Sequence, residues 1–283
     1  MIDYSAYKYI IVEKKDKVAV VTLNRPDSLN AVIVPEGHAE LEDIWIDLNR
    51  DEEVNAIVLT GAGRGFCSGA DVKGQARKVS EMTPSQRVDL YRLGFWRGEG
   101  YPRGGGPPVM RIIYNTLNVR QPIIAAVNGA AIGMGATLAL FCDIIIASEK
   151  ARFGDTHIKV GLVPGDGGTV IWPLLCGIAR AKEYLWTGDI ISAAEAERIG
   201  LVNYVVPHDE LMPKAMEWAN RLAHGPSTAI EMTKRALNKR LRDEVNLVLD
   251  YSDVAQYLSY FTDDHKEGPR AFVEKREPHF TGH

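Results

Sequence analysis

Uninterrupted apolar runs that break into glycine turns constrain this chain more than any other feature. Residues 56–60 run into Gly61, 123–127 run into Asn128-Gly129, and 144–147 form a third such run. A run of this length with no polar alternation reads as a strand covered on both faces. Helices must supply the cover, and one is predicted over 35–49, where Leu41, Ile44, Trp45 and Leu48 follow Pro35 at helical spacing. Residues 9–23 read as two short strands around a charged turn at 13–17. Strands alternating with helices through glycine-rich turns indicate an α/β core, assigned to 1–205. From Val206 onward helical patterns take over, at 207–223, 226–241, 243–260 and 263–276, so 206–283 is read as a C-terminal helical region.

Composition narrows the function classes. Lys+Arg 33 against Asp+Glu 37 gives a net charge of −4, so no basic stripe is expected and no nucleic-acid partner is assigned. The longest apolar stretch, 125–146, is broken by Asn128, several glycines and Asp143, which argues against a bilayer span. The N-terminus lacks the pattern of a secretory signal. Cys67, Cys142 and Cys176 form no CxxC pair, pointing to a reduced, cytoplasmic setting. Residues 74–108 are glycine- and proline-rich and carry Phe95, Trp96, Glu99 and Tyr101, the pattern of a lid or connector.

Two glycine loops could carry chemistry. Residues 61–71, GAGRGFCSGAD, follow a predicted strand but fit neither dinucleotide nor P-loop spacing, because Phe66 stands where a glycine is needed and no GK[ST] follows. The segment is either a plain strand-to-helix turn or a set of open N–H donors for a carbonyl or phosphate oxygen. The second loop, 129–136, precedes an apolar helix predicted at 137–142. It is either tight packing that needs glycine or the second half of an oxyanion hole.

Taken together, NRPDSLNAV (24–32), FCSGADVK (66–73), 122–148, VGLVPGDGGT (160–169) and DDHKEGPRAFVEKREPHF (263–280) resemble the crotonase superfamily of enoyl-CoA hydratases and isomerases. The resemblance covers nearly the whole chain. It implies an α/β spiral of ββα turns with a helical C-terminal trimerisation region, assembled as a homotrimer or dimer of trimers. It also implies an acyl-CoA substrate, coenzyme A being part of that substrate, with no prosthetic group. The thioester oxygen would lie between the N–H groups of Ala70 and Met134. Arg25, Ala31, Cys67, Ser68, Gly69, Asp71 and Thr137 would line the substrate, and Phe272 and Lys275 would reach coenzyme A across a subunit boundary. Met134 departs from the glycine common at its position.

The acid–base positions also depart from the family. Its hydratases use two glutamates, and the matching positions here hold Thr137 and His157. Histidine titrates near neutrality, so His157 is a candidate acid or base, against the alternative of an ordinary loop histidine. Asp166, nine residues on, is either a helix N-cap or the carboxylate that orients His157. Asp155 is a possible neighbour of His157 on the same turn, and Asp143 reads as structural. With Trp172-Pro173, the His157 and Asp166 spacing also resembles 6-oxocamphor hydrolase, a superfamily member that cleaves a β-diketone with activated water. No metal site is expected, since the remaining histidines lack ligand spacing, and Cys67 has no histidine placed to activate it. The expected activity is hydration or dehydration of an enoyl-CoA through an enolate. Hydrolytic carbon–carbon cleavage and a catalytically silent CoA-ester binder are the alternatives.

Overall fold

A computed structural model describes residues 2–71, 83, 85 and 108–283. The proposed lid, with Phe95, Trp96, Glu99 and Tyr101, lies outside the described residues. The chain opens with a hairpin, β1 (Ile10–Lys15) and β2 (Val18–Leu23), whose two-residue turn places Asp16 and Lys17 at positive φ. Helix α1 (Glu36–Arg50) and strand β3 (Ala56–Gly61) follow, then α2 (Pro108–Asn118), β4 (Ile123–Val127), β5 (Ala130–Ile132) and α3 (Met134–Leu140). Next come β6 (Ile144–Ser148), β7 (Arg152–Gly154), α4 (Gly168–Cys176), α5 (Ile178–Thr187), β8 (Ile191–Ser192) and α6 (Ala193–Arg198). Strand β9 (Tyr204–Val206) and helices α7 (Leu211–Ala223), α8 (Ser227–Ser259) and α9 (Asp263–Glu274) complete the chain.

The main sheet has the order β1-β2-β3-β4-β6-β9, parallel from β2 onward, and a smaller sheet has the order β5-β7-β8. Each of β4 and β6 feeds a short strand of the small sheet and then a helix, which makes the expected ββα turns. The apolar runs are explained by two-sided cover. Alternate residues Ala56, Val58, Ile124, Ala126 and Ile146 pack on α7, where Leu211, Ala215, Ala219 and Ala223 let the helix come close. The intervening residues Ile57, Leu59, Ile123, Ala125 and Val127 join a larger core with Trp45, Phe66 and Trp172.

Three boundaries differ from expectation. The helix expected at 137–142 starts instead at Met134, because Gly133 takes φ 53° and the chain turns helical at once. The helices expected at 226–241 and 243–260 are one helix, α8: Leu241, Val245, Leu249 and Ser252 keep helical spacing through the expected break and pack inward. The helix expected from 207 begins with a 3₁₀ turn at His208–Glu210 before α7. The change of element type at 205/206 does not separate α7 from the sheet, since α7 covers one of its faces. Among the described residues no helix is long and apolar enough to cross a membrane.

Helix α8 is pinned to the sheet by a buried charge. Lys234 Nζ donates to Asp143 Oδ2 at 2.6 Å and to the Gln121 carbonyl at 2.8 Å, while Asp143 also accepts the Ile123 N–H at 2.7 Å. Asp143 is thus structural, as expected. Lys234→Ala removes this ion pair and the bond to the Gln121 carbonyl, and because Asp143 reaches solvent it should cost about 1–2 kcal/mol, seen as a lower urea midpoint with an unchanged slope.

Candidate active site

The first glycine loop is held by two buried amides. Asn30 Nδ2 donates to the carbonyls of Ala62, Gly65 and Phe66, and Asn128 Nδ2 to those of Gly61, Gly63 and Gly65, all within 2.8–3.2 Å. Beyond them the backbone joins the second loop. Cys67 pairs with β5, its N–H donating to Ala130 O at 2.9 Å and its carbonyl accepting the Ile132 N–H at 3.0 Å. Ala70 pairs with Val32 on the other side: the Val32 N–H donates to Gly69 O at 2.8 Å and the Asp71 N–H to Val32 O at 2.9 Å.

In that parallel bridge the N–H of Ala70 points away from Val32. Gly69, at φ 94°, passes so close to the second loop that a methyl there would lie 2.9 Å from Ile132 O and 3.9 Å from Met134 N. Met134 opens α3, where a first-turn N–H has no intrahelical acceptor. No backbone acceptor among the described residues takes the N–H of Ala70 or of Met134. Two neighbouring free donors of this kind are what an oxyanion requires.

His157, the candidate acid or base, lies against the same loop. Gly154 of β7 accepts the Gly133 N–H at 2.8 Å, and three residues later the His157 ring packs on Gly133. The Nδ1–H of His157 donates to Asp155 Oδ1 at 2.5 Å, while Nε2 lies 3.5 Å from Asp166 Oδ2. Asp166 Oδ1 in turn accepts the Thr137 hydroxyl at 3.3 Å. The orienting carboxylate is therefore Asp155, and Asp166 faces the opposite ring nitrogen. The N-cap alternative for Asp166 is also set aside: Gly167 occupies the cap of α4, with no side-chain cap bond. Both carboxylates stand at the start of α4, where the helix dipole favours anions.

Charges set the protonation states. Burial works against the His157 cation, but Asp166 and Asp155 outweigh it and raise its pKa to about 9. Burial pushes the Asp166 carboxyl above the usual range, opposed by His157 and by the Thr137 hydrogen bond. Near neutral pH the pair is an imidazolium facing a carboxylate. Asp155, His157 and Asp166 also bring one ligand-type atom each within 4.8 Å of one another, a clustering that histidine spacing alone does not reveal. The short Asp155–His157 bond already uses a ring nitrogen that a shared cation would otherwise take.

Other expected residues fall as follows. Arg25 donates to Ala31 O and to Asp71 Oδ2 (3.2 Å), bracing the first loop from the side. Ser68 Oγ donates to Ser28 O at 3.1 Å. Burial pushes the Cys67 thiol up to about 12, which disarms it as a nucleophile. A cavity of about 240 Å³ is lined by Ile112, Ile113, Met134, Thr137, Phe141 and Asp166, with Thr116 and Leu138. Phe272 and Lys275 are exposed at the end of α9, which packs on the 157–160 turn. The amides Asn30 and Asn128 and the orienting role of Asp155 were not assigned from sequence. Asn128-Gly129 reads there as a turn, and Asp155 reads only as a possible neighbour of His157, two residues away.

Asp155→Asn should lower the His157 titration midpoint from about 9 toward its ordinary value, measured by imidazole nitrogen shifts in NMR. An unmoved midpoint would mean that Asp166 alone supports the cation.

The enoyl-CoA hydratase/isomerase family model matches residues 13–93 and 106–283. A probable enoyl-CoA hydratase of Mycobacterium tuberculosis is 35% identical over 275 residues, spanning 97% of this chain and 98% of that one. A short-chain-enoyl-CoA hydratase of Clostridium acetobutylicum is 37% identical over 269 residues, spanning 95% of each. The crystal structure of an enoyl-CoA hydratase/isomerase from Mycobacterium paratuberculosis superposes with a TM-score of 0.81 at 35% identity, covering 94% of this chain and 98% of that one. The ββα spiral, the paired loops and these matches agree, and the chain belongs to the enoyl-CoA hydratase/isomerase family of the crotonase superfamily.

Proposed function

We propose that this enzyme adds water to the double bond of an enoyl-CoA thioester, and removes it in reverse. The observation that carries this reading is the placement of two acceptor-free N–H groups beside an imidazolium–carboxylate pair. The thioester oxygen sits between the N–H groups of Ala70 and Met134. Asp166 takes a proton from water, and the hydroxide oxygen bonds to the β-carbon. The displaced π electrons move to the thioester oxygen as an enolate, which the two N–H groups stabilise. The His157 imidazolium then delivers its Nε2 proton to the α-carbon. Acid and base have now exchanged protonation states, and a proton passing from Asp166 to Nε2 across 3.5 Å restores both.

In this scheme Asp155 keeps the Nδ1 proton in place, and Thr137 holds Asp166 as an anion. His157 and Asp166 thus do the work of the family's two glutamates, with His157 as the acid rather than the water-activating base.

Coenzyme A enters as part of the substrate, along Arg25, Ala31 and residues 67–71. The exposed apolar side chains Leu237, Leu247, Tyr251 and Leu258 on α8 support a trimer, in which Phe272 and Lys275 of one subunit approach the coenzyme A of another. The three unpaired cysteines fit a cytoplasmic setting.

Incubation with crotonyl-CoA should yield an intact thioester one water heavier. His157→Gln and Asp166→Asn should each lower kcat about 10²–10⁴-fold. Release of free CoA, or a broken carbon skeleton, would instead indicate hydrolytic cleavage.

The pH profile should be bell-shaped. The rate falls on the acid side as Asp166 is protonated, above the ordinary carboxylate range, and on the basic side near pH 9 as His157 loses its proton.

A further inference from the structure

The segments that carry His157 and Asp166 are each held by one of the last two helices. His157 opens a 3₁₀ turn, His157–Val160, that closes on itself. Lys159 N–H donates to Thr156 O at 3.0 Å, Gly161 N–H to Ile158 O at 3.1 Å and Leu162 N–H to His157 O at 2.9 Å. A turn bonded in this way moves as one piece, so whatever fixes Val160 also fixes His157.

The Val160 carbonyl takes its bond from α9. His265, buried in the first turn of that helix, donates to it from Nδ1 at 2.8 Å. A carbonyl only accepts, so Nδ1 carries the proton. The ring is itself oriented: the Thr262 cap accepts the His265 N–H at 3.1 Å, and the Tyr260 ring meets the imidazole edge-on, with centroids 4.8 Å apart. The backbones on either side touch. A methyl on Gly268 would lie 2.6 Å from Val160 Cα, and one on Gly161 would lie 2.7 Å from the Asp264 carbonyl carbon.

Asp166 is held by α8, through Ser252, Gln256 and Ser259. A methyl on Gly165 would lie 2.5 Å from Gln256 Cβ and 2.6 Å from Ser252 O. The Val163 N–H donates to Ser259 Oγ at 3.3 Å, and the Thr169 and Ser252 hydroxyls bond at 2.7 Å. The two helices are tied where they meet, because the Thr262 hydroxyl that caps α9 also donates to Ser259 O at 2.9 Å.

We infer that α8 and α9 set the separation between His157 and Asp166, and that His265 is the positioning residue through which α9 holds His157. This rests on the reading of that pair as acid and base. Nε2 and Asp166 Oδ2 stand 3.5 Å apart, and without the His265 bond the turn is free to shift on α9 and change that distance. Burial opposes the His157 cation and the two carboxylates sustain it, so a ring that drifts from Asp166 should titrate below about 9.

The test uses the full-length protein, with crotonyl-CoA hydration as one readout and the His157 imidazole nitrogen shifts in NMR as the other. His265→Leu removes the donor and should lower kcat about 10- to 100-fold with KM unchanged. It should also move the His157 midpoint down from about 9. His265→Asn, whose amide N–H stands in for Nδ1–H, should restore most of both. Gly268→Ala keeps His265 but drives a methyl against Val160 Cα, and it too should move the midpoint.

An unmoved midpoint in folded His265→Leu would overturn the inference, whatever happens to kcat or Tm, because His265 would then be purely structural. Equal losses in His265→Leu and His265→Asn would also overturn it, since the donor would not be what matters. If His265→Leu does not fold, an unmoved midpoint in Gly268→Ala overturns it. No hydration of crotonyl-CoA by the wild type would remove the proposed reaction, and the midpoints would still decide this inference.

Discussion

The backbone bonds between Cys67 and β5 place two glycine loops in main-chain contact, and the rest of the site follows from that contact. Gly135 lies against the Cys67 carbonyl with no room for a side chain, and a methyl on Gly69 would come within 2.9 Å of Ile132 O. A side chain at either position would push the loops apart and separate the N–H groups of Ala70 and Met134. The loss of one such donor costs roughly 3 kcal/mol of transition-state stabilisation in acyl transfer. Asn30 and Asn128 serve the same end by satisfying loop carbonyls that could not otherwise be buried.

A second constraint is electrostatic. Two carboxylates are buried at the start of α4, and the site keeps them by placing an imidazolium between them and a hydroxyl beside one. The helix dipole works in the same direction. The two carboxylates differ in geometry. Asp155 bonds Nδ1 of His157 at 2.5 Å, while Asp166 stands 3.5 Å from Nε2, and the proposed division of roles rests on that difference.

Much of the fold was legible before the structure. The buried strands showed as unbroken apolar runs because both of their faces are covered, and the hairpin and α1 showed by period and turn chemistry. The length of α8 was misread, because sequence weighs local punctuation, whereas Val245 and Leu249 hold the helix through the expected break by packing inward. At the site, motif spacing singled out the loops, His157, Asp166 and Thr137, and the structure brings these residues together. The partnership of Asp155 with His157 was only a neighbour relation in sequence, and His265 carried no sign of its bond to Val160.

Sequence alone determined the order of loops, strands and candidate acid–base residues, and with it the family, because apolar period and glycine placement are local properties. Tertiary structure alone decided which carboxylate faces which ring nitrogen, the geometry on which the proposed roles rest. It also decided that His265 reaches the Val160 carbonyl. Such placements depend on side-chain direction and on the packing around each group, and a protonation state depends on the distances those contacts create.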